Sequence, residues 1–308
     1  MSGPYGKIKK YCTKDCLFNA YPHKRAATWN NSHKQLRMDE FDGRVDHSNW
    51  GDDINWFFLR EVINQSVIPY NHATLAHKLN RPNYVIIGST IDLLADSKSI
   101  IWGAGIIDRK TENLPQFRKI CAVRAPKTRE KLLSMGFNCP EVYGDPALLI
   151  PLHYNPHIEK KYSLGIIPHY HDLERVRDDF KNNHQIKVID VRKYNKWTDF
   201  IDEILECEAI ALSSLHGLIM AYAYNIPNVW IEFSKGAKRD RFKYDDFFSS
   251  IGKHENPLLI FGSNDITKIN NALKNWRRGY IDLIPLVKAA PFKFKNALTK
   301  ELQLREVL

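Results

Sequence analysis

Short apolar runs separated by amphipathic segments dominate the chain from residue 84 to residue 261. Each run has the length of a buried strand, and stretches with helical periodicity lie between most of them. The runs fall at residues 84–89, 100–105, 120–123, 164–167, 186–191, 209–212, 229–231 and 258–261. Strands that alternate with helices predict a parallel sheet with right-handed crossovers, so the fold class predicted here is α/β.

The stretch from residue 209 to residue 230 shows this pattern most clearly. Its apolar run ends at Ser213 and Ser214, either of which can cap a following helix. Gly217 keeps that helix slim enough to lie close against a sheet. His216 therefore falls at the carboxyl end of a strand and the amino end of a helix, where open α/β sheets bind ligands. A core histidine beneath a helix cap fits the same residues equally well.

A second helix start is predicted near Asn49. Gly51 marks a tight turn, and Asp52 and Asp53 open a helix whose apolar residues recur on one face. Acidic residues in a first helical turn are expected because they complement the helix dipole. The alternative is functional: a loop that brings its backbone and Asp52 to a substrate hydroxyl.

The chain length and one irregular segment predict the domain organisation. A chain of 308 residues is typical of two domains of about 150 residues each. Residues 151–162 contain two prolines and no periodicity, which predicts a linker between domains at 1–150 and 163–284. Two α/β halves form a cleft, where ligands commonly bind. The tail, residues 285–308, either packs back on the first domain or lies on a membrane surface.

The formal net charge of +10 narrows the class of partners. It favours phosphorylated or carboxylated substrates, anionic lipid headgroups or nucleic acid. Nucleic acid is the weaker candidate because the basic residues are scattered and form no binding motif. We therefore expect small acidic substrates and no nucleic acid, with association at a membrane surface as an option.

Cysteine usage and hydropathy favour a cytoplasmic protein. Five cysteines without a framework spacing indicate reduced thiols rather than disulfides. The first residues have no apolar core typical of a signal peptide, and no window is long and apolar enough for a membrane span. Cys12, Cys16, His23 and His33 lack the paired spacing of zinc modules, so no metal site is predicted.

Six short motifs follow one another between residues 49 and 217. They are NWGD at 49–52, WGAG at 102–105, VRAP at 123–126, GDPA at 144–147, IPHY at 167–170 and SSLHG at 213–217. In this order the chain resembles the polysaccharide pyruvyl transferase family. The resemblance implies two Rossmann-like domains that face each other across a cleft, in an arrangement similar to the glycosyltransferase B fold.

The resemblance also implies a reaction. Pyruvate passes from phosphoenolpyruvate to two hydroxyls of one sugar, for example galactose, as a cyclic ketal on a cell-surface polysaccharide or its lipid-linked precursor. No cofactor is implied, since phosphoenolpyruvate is a co-substrate. His216 is the predicted general acid, with His169 as second proton carrier or sugar contact and Asp52 as a base. A helix amino terminus lowers the pKa of His216, and we expect bound phosphoenolpyruvate to raise it again.

The remaining predicted site residues divide between donor and acceptor. Arginine suits carboxylate and phosphate groups because its planar fork binds either in pairs of hydrogen bonds. Some donor-binding residues are predicted in this way, and others from the SSLHG turn and the basic loop after residue 231. They are Arg124, Arg129, Ser213, Ser214, Leu215, Gly217 and Lys243. Acceptor-binding residues predicted for the first domain and the IPHY turn are Asn49, Trp50, Gly51, Asp145 and Tyr170.

Two departures from the family pattern leave alternatives open. The family commonly has arginine at the position of Ser214, so another cation, such as one in the basic loop, must replace it. Ala125 stands where the family usually has glycine. A nucleotide-sugar glycosyltransferase of the same architecture is the first alternative, and a protein that binds polyanions without catalysis is the second.

Overall fold

The computed structural model describes residues 17–19, 49–63, 67–69, 81–233 and 241–294, with backbone only for 17–19 and 67–69. These residues form an α/β protein with two sheets of five strands each, and all of the strand pairs are parallel. The α/β class predicted from the alternating pattern is confirmed.

The first half of the chain forms the first sheet, in the strand order β2-β1-β3-β4-β5. One π-helical turn, Phe58–Val62, continues helix α1, and a 3₁₀ helix, Pro146–Leu152, ends this half. Its strands and helices are β1 Leu17–Asn19, α1 Trp50–Phe57, β2 Val67–Pro69, β3 Asn83–Val85, α2 Ile91–Leu94, β4 Ser99–Trp102, β5 Lys119–Ala122 and α3 Pro126–Ser134.

The second half forms the second sheet, in the order β10-β9-β8-β6-β7. A short 3₁₀ helix, Ser263–Asp265, precedes helix α8. The elements are β6 Tyr162–Ile167, α4 Leu173–Phe180, β7 Ile186–Val188, α5 Asp199–Leu205, β8 Cys207–Leu212, α6 Leu215–Ala223, β9 Asn228–Phe233, α7 Phe242–Ser250, β10 Leu258–Ile260, α8 Ile266–Lys274 and α9 Ile284–Lys288.

Both sheets place their strands in the same spatial order, 2-1-3-4-5 when each is numbered from its own first strand. In this order the second strand lies on one side of the first strand, and the third, fourth and fifth strands lie on its other side. The direction in which strands are added therefore reverses between the first and third strands. That reversal falls between β1 and β3 in the first sheet and between β6 and β8 in the second. Ligands of open α/β sheets bind beyond the carboxyl ends of the strands at such a reversal.

The element boundaries differ from the sequence pattern at several points. The apolar run at 84–89 continues four residues past β3, although Ser89 still forms an isolated bridge with Gly105. The sequence did not predict β1 or β2, because three residues are too short a run to show a period. Pro151 and Leu152 belong to the buried 3₁₀ helix, so the irregular connection between the halves begins two residues later than the linker predicted at 151–162.

One hydrophobic cluster joins the two halves. It contains Trp50 and Ile54 of α1, Leu149 of the 3₁₀ helix, Phe200 of α5 and Leu218 of α6. Helix α6 is buried almost all round, which is typical of a helix packed between layers. Burying each large apolar side chain in such a cluster contributes about 1.5–3 kcal/mol.

The described part of the C-terminal segment packs against the first half. Trp102 donates its indole N–H to the carbonyl of Leu286 at 2.8 Å, and the ring of Phe292 lies edge-on at 5.0 Å from it. Leu286 is fully buried. Residues 295–308 lie outside the described residues. No described helix has both the length and the apolar character that crossing a bilayer requires.

Candidate active site

The turns after β6 and β8 meet at the strand-order reversal of the second sheet. Ser214 is the N-cap of α6, and its hydroxyl accepts a long hydrogen bond of 3.4 Å from the Gly217 amide. The hydroxyl of Ser213 accepts from the His169 amide at 2.8 Å. This bond ties the two turns together, so His169 and His216 lie on adjacent turns at the position where this fold binds ligands.

The imidazole of His216 lies against two glycines of the first half. A Cβ atom built on Gly51 would overlap the ring, and one built on Gly88 would lie 3.6 Å from Nε2. Gly88 also has a φ of +102°, a conformation that favours glycine. Because α1 and the turn after β3 supply these glycines, the two halves of the chain meet at the His216 ring.

His216 is neutral near pH 7 in this structure. Its Nε2 is buried and has no hydrogen-bond partner among the described residues, although other atoms of the residue keep some exposure. Burial is the main cause that lowers the pKa of His216 to about 3, and the cations of Lys243 and Arg124 lower it further. The pKa falls as the sequence predicted, but desolvation and two neighbouring cations cause the decrease.

Arg124 is fully buried in an ion pair that crosses between the halves. Its Nε and Nη2 donate to Oδ2 of Asp246 at 3.0 and 2.7 Å, and Nη1 donates to the Ser89 hydroxyl at 2.6 Å. The guanidinium packs directly on Gly105, where a Cβ atom would lie 2.8 Å from Nε. The ion pair therefore engages the arginine that the sequence predicted as a clamp for the donor.

Asp246 occupies the anion position at the amino end of α3. It accepts hydrogen bonds from the amide and the hydroxyl of Thr128, at 2.7 and 2.8 Å. The amino end of a helix attracts anions, and here a carboxylate of the protein itself lies there. Asp246 is not among the site residues predicted from the sequence. Its one local signal is that it lies four residues after the buried Phe242, on the apolar face of α7.

Asp145 is the second buried group at this site with an unpartnered atom. Its Oδ1 accepts from the Ala147 amide at 3.0 Å and caps the 3₁₀ helix, whereas Oδ2 is buried without a well-formed hydrogen bond. Burial raises the pKa of Asp145 to about 6, against the opposing effects of the Arg124 cation and the Ala147 and Gly88 amides. Since Gly88 neighbours both Asp145 and His216, both groups lie at the turn after β3.

Trp50, which the sequence predicts as an acceptor contact, is buried in the structure. Trp50 is 1% exposed, its indole N–H donates to the Trp197 carbonyl at 2.7 Å, and its ring lies 4.8 Å from that of Phe200. It therefore cannot stack on a sugar in this structure, and the prediction for Trp50 is corrected. Trp102 is fully buried as well.

The start of α1 also differs from the prediction. The helix begins at Trp50, and Asn49 caps it by accepting a hydrogen bond from the Gly51 amide at 3.0 Å. Gly51 therefore lies inside the first helical turn, and the prediction of a tight turn at Gly51 before the helix is wrong. Its lack of a side chain is required because His216 lies against it. Asp52 follows in the same turn and is partly buried.

The turn after β6 presents an open aromatic surface. Tyr170 is 36% exposed, and its ring centre lies 4.3 Å from that of His169 and 4.0 Å from that of His171. The guanidinium of Arg192 lies over the Tyr170 ring at 5.8 Å. Unlike Trp50, Tyr170 is accessible to a sugar.

The other cations and donor-side residues are distributed as follows. Arg129 donates to the Cys139 carbonyl at 3.1 Å and hydrogen-bonds Tyr143, so its contacts lie on the loop before residue 144. Lys243, on α7, is close enough to His216 to lower its pKa. Leu215 is buried, and a Cβ atom on Gly217 would lie 3.1 Å from Ile167.

Several residues weighed from the sequence lie outside the described residues. They are Cys12, Cys16, His23 and His33 of the amino-terminal region and Lys235, Lys238 and Arg239 of the basic loop. Arg241, the next basic residue, pairs with Glu232 at 2.7 Å. Within the described ranges, no group of histidine, cysteine, aspartate and glutamate side chains is placed to hold a metal ion.

The family model for polysaccharide pyruvyl transferase matches residues 51–235, more than half of the chain. The chain belongs to this family. The match includes Gly51, Arg124, Asp145 and His216, and it ends before α7, so Asp246 lies beyond it. The resemblance stated from the six motifs is confirmed.

Two curated relatives resemble the chain at low identity. Protein L143 of Acanthamoeba polyphaga mimivirus is 27% identical over 211 residues, which cover 66% of this chain and 71% of that protein. The succinoglycan biosynthesis protein ExoV of Rhizobium meliloti (strain 1021) is 28% identical over 232 residues, which cover 70% of this chain and 65% of ExoV. ExoV by its name acts in the biosynthesis of a polysaccharide.

Proposed function

We propose that this polysaccharide pyruvyl transferase family member moves pyruvate from phosphoenolpyruvate to two hydroxyls of one sugar. The acceptor is a cell-surface polysaccharide or its lipid-linked precursor, which agrees with the role that the name of ExoV states. The observation that carries the proposal is the placement of His216. This histidine lies at the strand-order reversal with a buried, unpartnered Nε2 beside the cations of Lys243 and Arg124.

The proposed reaction balances as follows. A proton adds to the methylene carbon of phosphoenolpyruvate and converts it to a methyl group, and the first sugar hydroxyl attacks C2. Phosphate leaves, and the second hydroxyl attacks the same carbon and closes the ketal. The sugar gives up two hydroxyl protons. In net terms one replaces the proton that the methyl group has taken, and the other leaves with phosphate or solvent.

His216 supplies the first proton in this proposal. Its pKa of about 3 keeps it neutral without the donor. Phosphoenolpyruvate carries at least two negative charges, and these would offset the cations of Lys243 and Arg124 and raise the pKa of His216. In this proposal Asp145 is a base for a sugar hydroxyl, since its raised pKa of about 6 leaves it mostly ionised near pH 7. Asp52 and His169 remain proposed partners of the acceptor.

Lys243 takes the place of the arginine that the family commonly has at Ser214. Among the described cations, Lys243 and Arg124 are the two whose charge acts on His216. Arg124 is engaged with Asp246, so it contacts the donor only if that ion pair rearranges. Lys243 therefore makes the first contact with the donor's carboxylate or phosphate. Arg129 is a donor contact only if the loop before residue 144 moves.

The arrangement of the whole enzyme follows from the same placement. We propose that the donor binds at the β6–β8 reversal and the acceptor enters between the two halves, as in the glycosyltransferase B arrangement. We expect the enzyme to need no metal and no cofactor, with phosphoenolpyruvate as its co-substrate. A net charge of +10 suits a cytoplasmic enzyme that acts at an anionic membrane surface on a lipid-linked sugar.

The test is a transfer assay. The purified protein is incubated with phosphoenolpyruvate and acceptors ending in galactose, N-acetylgalactosamine or mannose, without added metal. We expect released phosphate and an acceptor heavier by one pyruvylidene group. His216→Ala should abolish both, and His184→Ala, an exposed histidine of the same half, should leave both unchanged.

A nucleotide sugar provides the opposing arm of the assay. If it transfers a hexose and protects the protein against heating, while phosphoenolpyruvate does neither, the glycosyltransferase alternative replaces the proposal. A protein that binds only polyanions would transfer nothing, and its binding to random oligonucleotides would weaken steeply with added salt.

A further inference from the structure

A polar cavity opens beside the carboxyl end of β7, away from the residues proposed for catalysis. Its volume is about 590 Å³, within the range of small-molecule sites. It lies on the edge strand next to β6, so it shares the ligand-binding edge of the second sheet with His169. It is lined by Arg177, Val188, Asp190, Lys193, Tyr194, Asn195, Asp199 and Glu203.

The lining of this cavity suits a neutral, hydroxyl-rich ligand. Two cations and three carboxylates give it a net charge of −1, which disfavours a phosphate or carboxylate ligand. The carboxylates are held in place. Asp190 pairs with Arg177 at 3.4 Å, and Asp199 accepts from the Asn195 amide at 2.9 Å. Carboxylates held in place as hydrogen-bond acceptors, beside cationic hydrogen-bond donors, match the hydroxyls of a saccharide.

Two donors in the cavity are available to such a ligand. The ammonium of Lys193 and the side-chain amide of Asn195 make no hydrogen bond with another residue in the part of the chain that the structure describes. Both residues are exposed, on the loop that leads from β7 into α5. A ligand can reach both donors without breaking a hydrogen bond between described residues, and the charge of Lys193 also acts on Glu203 in the same cavity.

An aromatic surface continues the cavity towards the turn after β6. Arg192 donates to Asp190 at 3.2 Å on one side and lies over the exposed ring of Tyr170 at 5.8 Å on the other. Tyrosine presents an apolar face together with a polar hydroxyl, and it loses little side-chain entropy on binding. An exposed ring beside fixed hydrogen-bonding groups is an arrangement that holds both the apolar face and the hydroxyls of a sugar.

The loop that forms the cavity also holds the helix that touches His216. Trp50 donates its amide to the Val191 carbonyl at 2.8 Å, and the hydroxyl of Tyr194 hydrogen-bonds Asp53. Between those two helix residues lies Gly51, which packs on the His216 ring. The cavity is therefore one helical turn of α1 away from the proposed reaction centre.

We propose that this cavity is an acceptor subsite. It binds neutral sugar residues that adjoin the sugar receiving pyruvate, with Lys193 and Asn195 donating to their hydroxyls and Tyr170 stacking on one ring. The inference rests on the proposed function, since it states where the sugars of that acceptor next to the reacting sugar bind. It also accounts for a polar cavity that the donor, as an anion, would not occupy.

The test compares short and long acceptors. The double variant Lys193→Ala with Asn195→Ala is assayed with the best acceptor of the panel as a monosaccharide and as a tetrasaccharide. We expect the ratio of kcat/KM for the long acceptor to that for the short one to fall about tenfold, through KM. Lys196→Ala, in the same exposed loop but outside the cavity, should keep the wild-type ratio. An unchanged ratio in the double variant, or an equal fall in the control, overturns the subsite.

A second measurement separates this inference from the proposed function. If the wild-type protein transfers pyruvate to no acceptor, the transferase proposal has failed, and saturation-transfer NMR is recorded with the same neutral tetrasaccharides. Signals in the wild type that disappear in the double variant support a saccharide site. Their absence in the wild type, or their persistence in the variant, overturns it.

Discussion

The two buried polar clusters around residues 88–89 differ in how completely their hydrogen bonds are made. In the first, the Asp246 carboxylate accepts four hydrogen bonds, two each from Arg124 and Thr128, and neither charge is exposed. In the second, Nε2 of His216 and Oδ2 of Asp145 are buried without well-formed partners. The clusters adjoin, because Arg124 also hydrogen-bonds Ser89.

This contrast distinguishes a cluster that stabilises the fold from a cluster that is suited to a reaction. A fully bonded buried network fixes the structure around it, because breaking one partner leaves an uncompensated charge. An unpartnered buried group costs about 1–3 kcal/mol, and proteins retain such groups mainly at sites where a ligand or proton will use them. The first cluster therefore joins the halves, whereas the second has the unmet hydrogen bonds that the proposed reaction would use.

The largest effect expected is on stability, from removing the carboxylate of the bonded cluster. Asp246→Ala leaves Arg124 buried and unpaired and the amide of Thr128 without its acceptor. Breaking one partner of a buried ion pair typically costs about 3–5 kcal/mol. Urea unfolding followed by circular dichroism should show a decrease of that size in the free energy of unfolding.

The neighbouring residue provides the control. Asp245 lies on the same helix and pairs with Arg109 at 2.9 Å, where the arginine is largely exposed. Asp245→Ala should cost less than about 1 kcal/mol, as exposed pairs do. Equal losses in the two variants would show that the buried pair does not join the halves.

The next effect concerns the contact between Gly51 and His216. Gly51→Ala inserts a methyl group into the imidazole, and overpacking of this kind costs about 1–3 kcal/mol. Without the contact the sign would be opposite, because alanine favours a helix over glycine by about 1 kcal/mol. Thermal unfolding of the variant should therefore occur at a lower temperature than in the wild type.

A double variant identifies the cause. On a His216→Ala background the ring is absent, so Gly51→Ala should be neutral or stabilising there. If the cost of Gly51→Ala is the same on both backgrounds, the ring is not the group that restricts residue 51. The contact described here between α1 and α6 would then be wrong.

A third effect is the pH dependence that His216 confers. Its pKa is about 3 when folded, compared with 6.5 when unfolded, so the unfolded state binds the proton more readily. The stability that neutral His216 contributes is present above pH 6.5 and is lost as the pH falls. Between pH 6.5 and pH 5 the wild type should lose about 1.5 kcal/mol more than His216→Gln.

Asp145 does not obscure this comparison. Its raised pKa gives it the opposite dependence, since its buried carboxylate becomes less costly when it is protonated at lower pH. That contribution is present in both proteins and cancels in the difference. Parallel stability curves for the wild type and His216→Gln would indicate that the His216 pKa is not lowered by burial.

The sequence predicted the parts of this site that depend on local pattern. The apolar run before Ser213 and the capping serines are enough to place His216 at a strand end and a helix start. Lys243, which the sequence predicts on the donor side, lies close enough to His216 to lower its pKa, while its contact with a donor stays a prediction. Each of these features depends on residues within one strand–turn–helix unit or on a single charged loop.

The contacts between the halves could not be predicted from such local patterns. Asp246 meets Arg124 across 122 positions of sequence, and nothing around either residue indicates the other. The burial of Trp50 depends on Trp197 and Phe200 in the same way. A motif shows which residue types a turn contains, but packing between distant elements decides whether they face a substrate or the core.

The smallest effects expected concern the two serines before His216. Ser213→Ala removes the buried acceptor of the His169 amide, a bond of 2.8 Å, and should cost about 1 kcal/mol. Ser214→Ala removes a cap whose bond is 3.4 Å long, so the loss should be near the lower limit for caps, about 0.5 kcal/mol. Urea unfolding of both variants measures the difference. If Ser214→Ala costs as much as Ser213→Ala, the cap stabilises the His216 turn as much as the bond between the turns after β6 and β8 does, and the difference inferred from the two bond lengths is wrong.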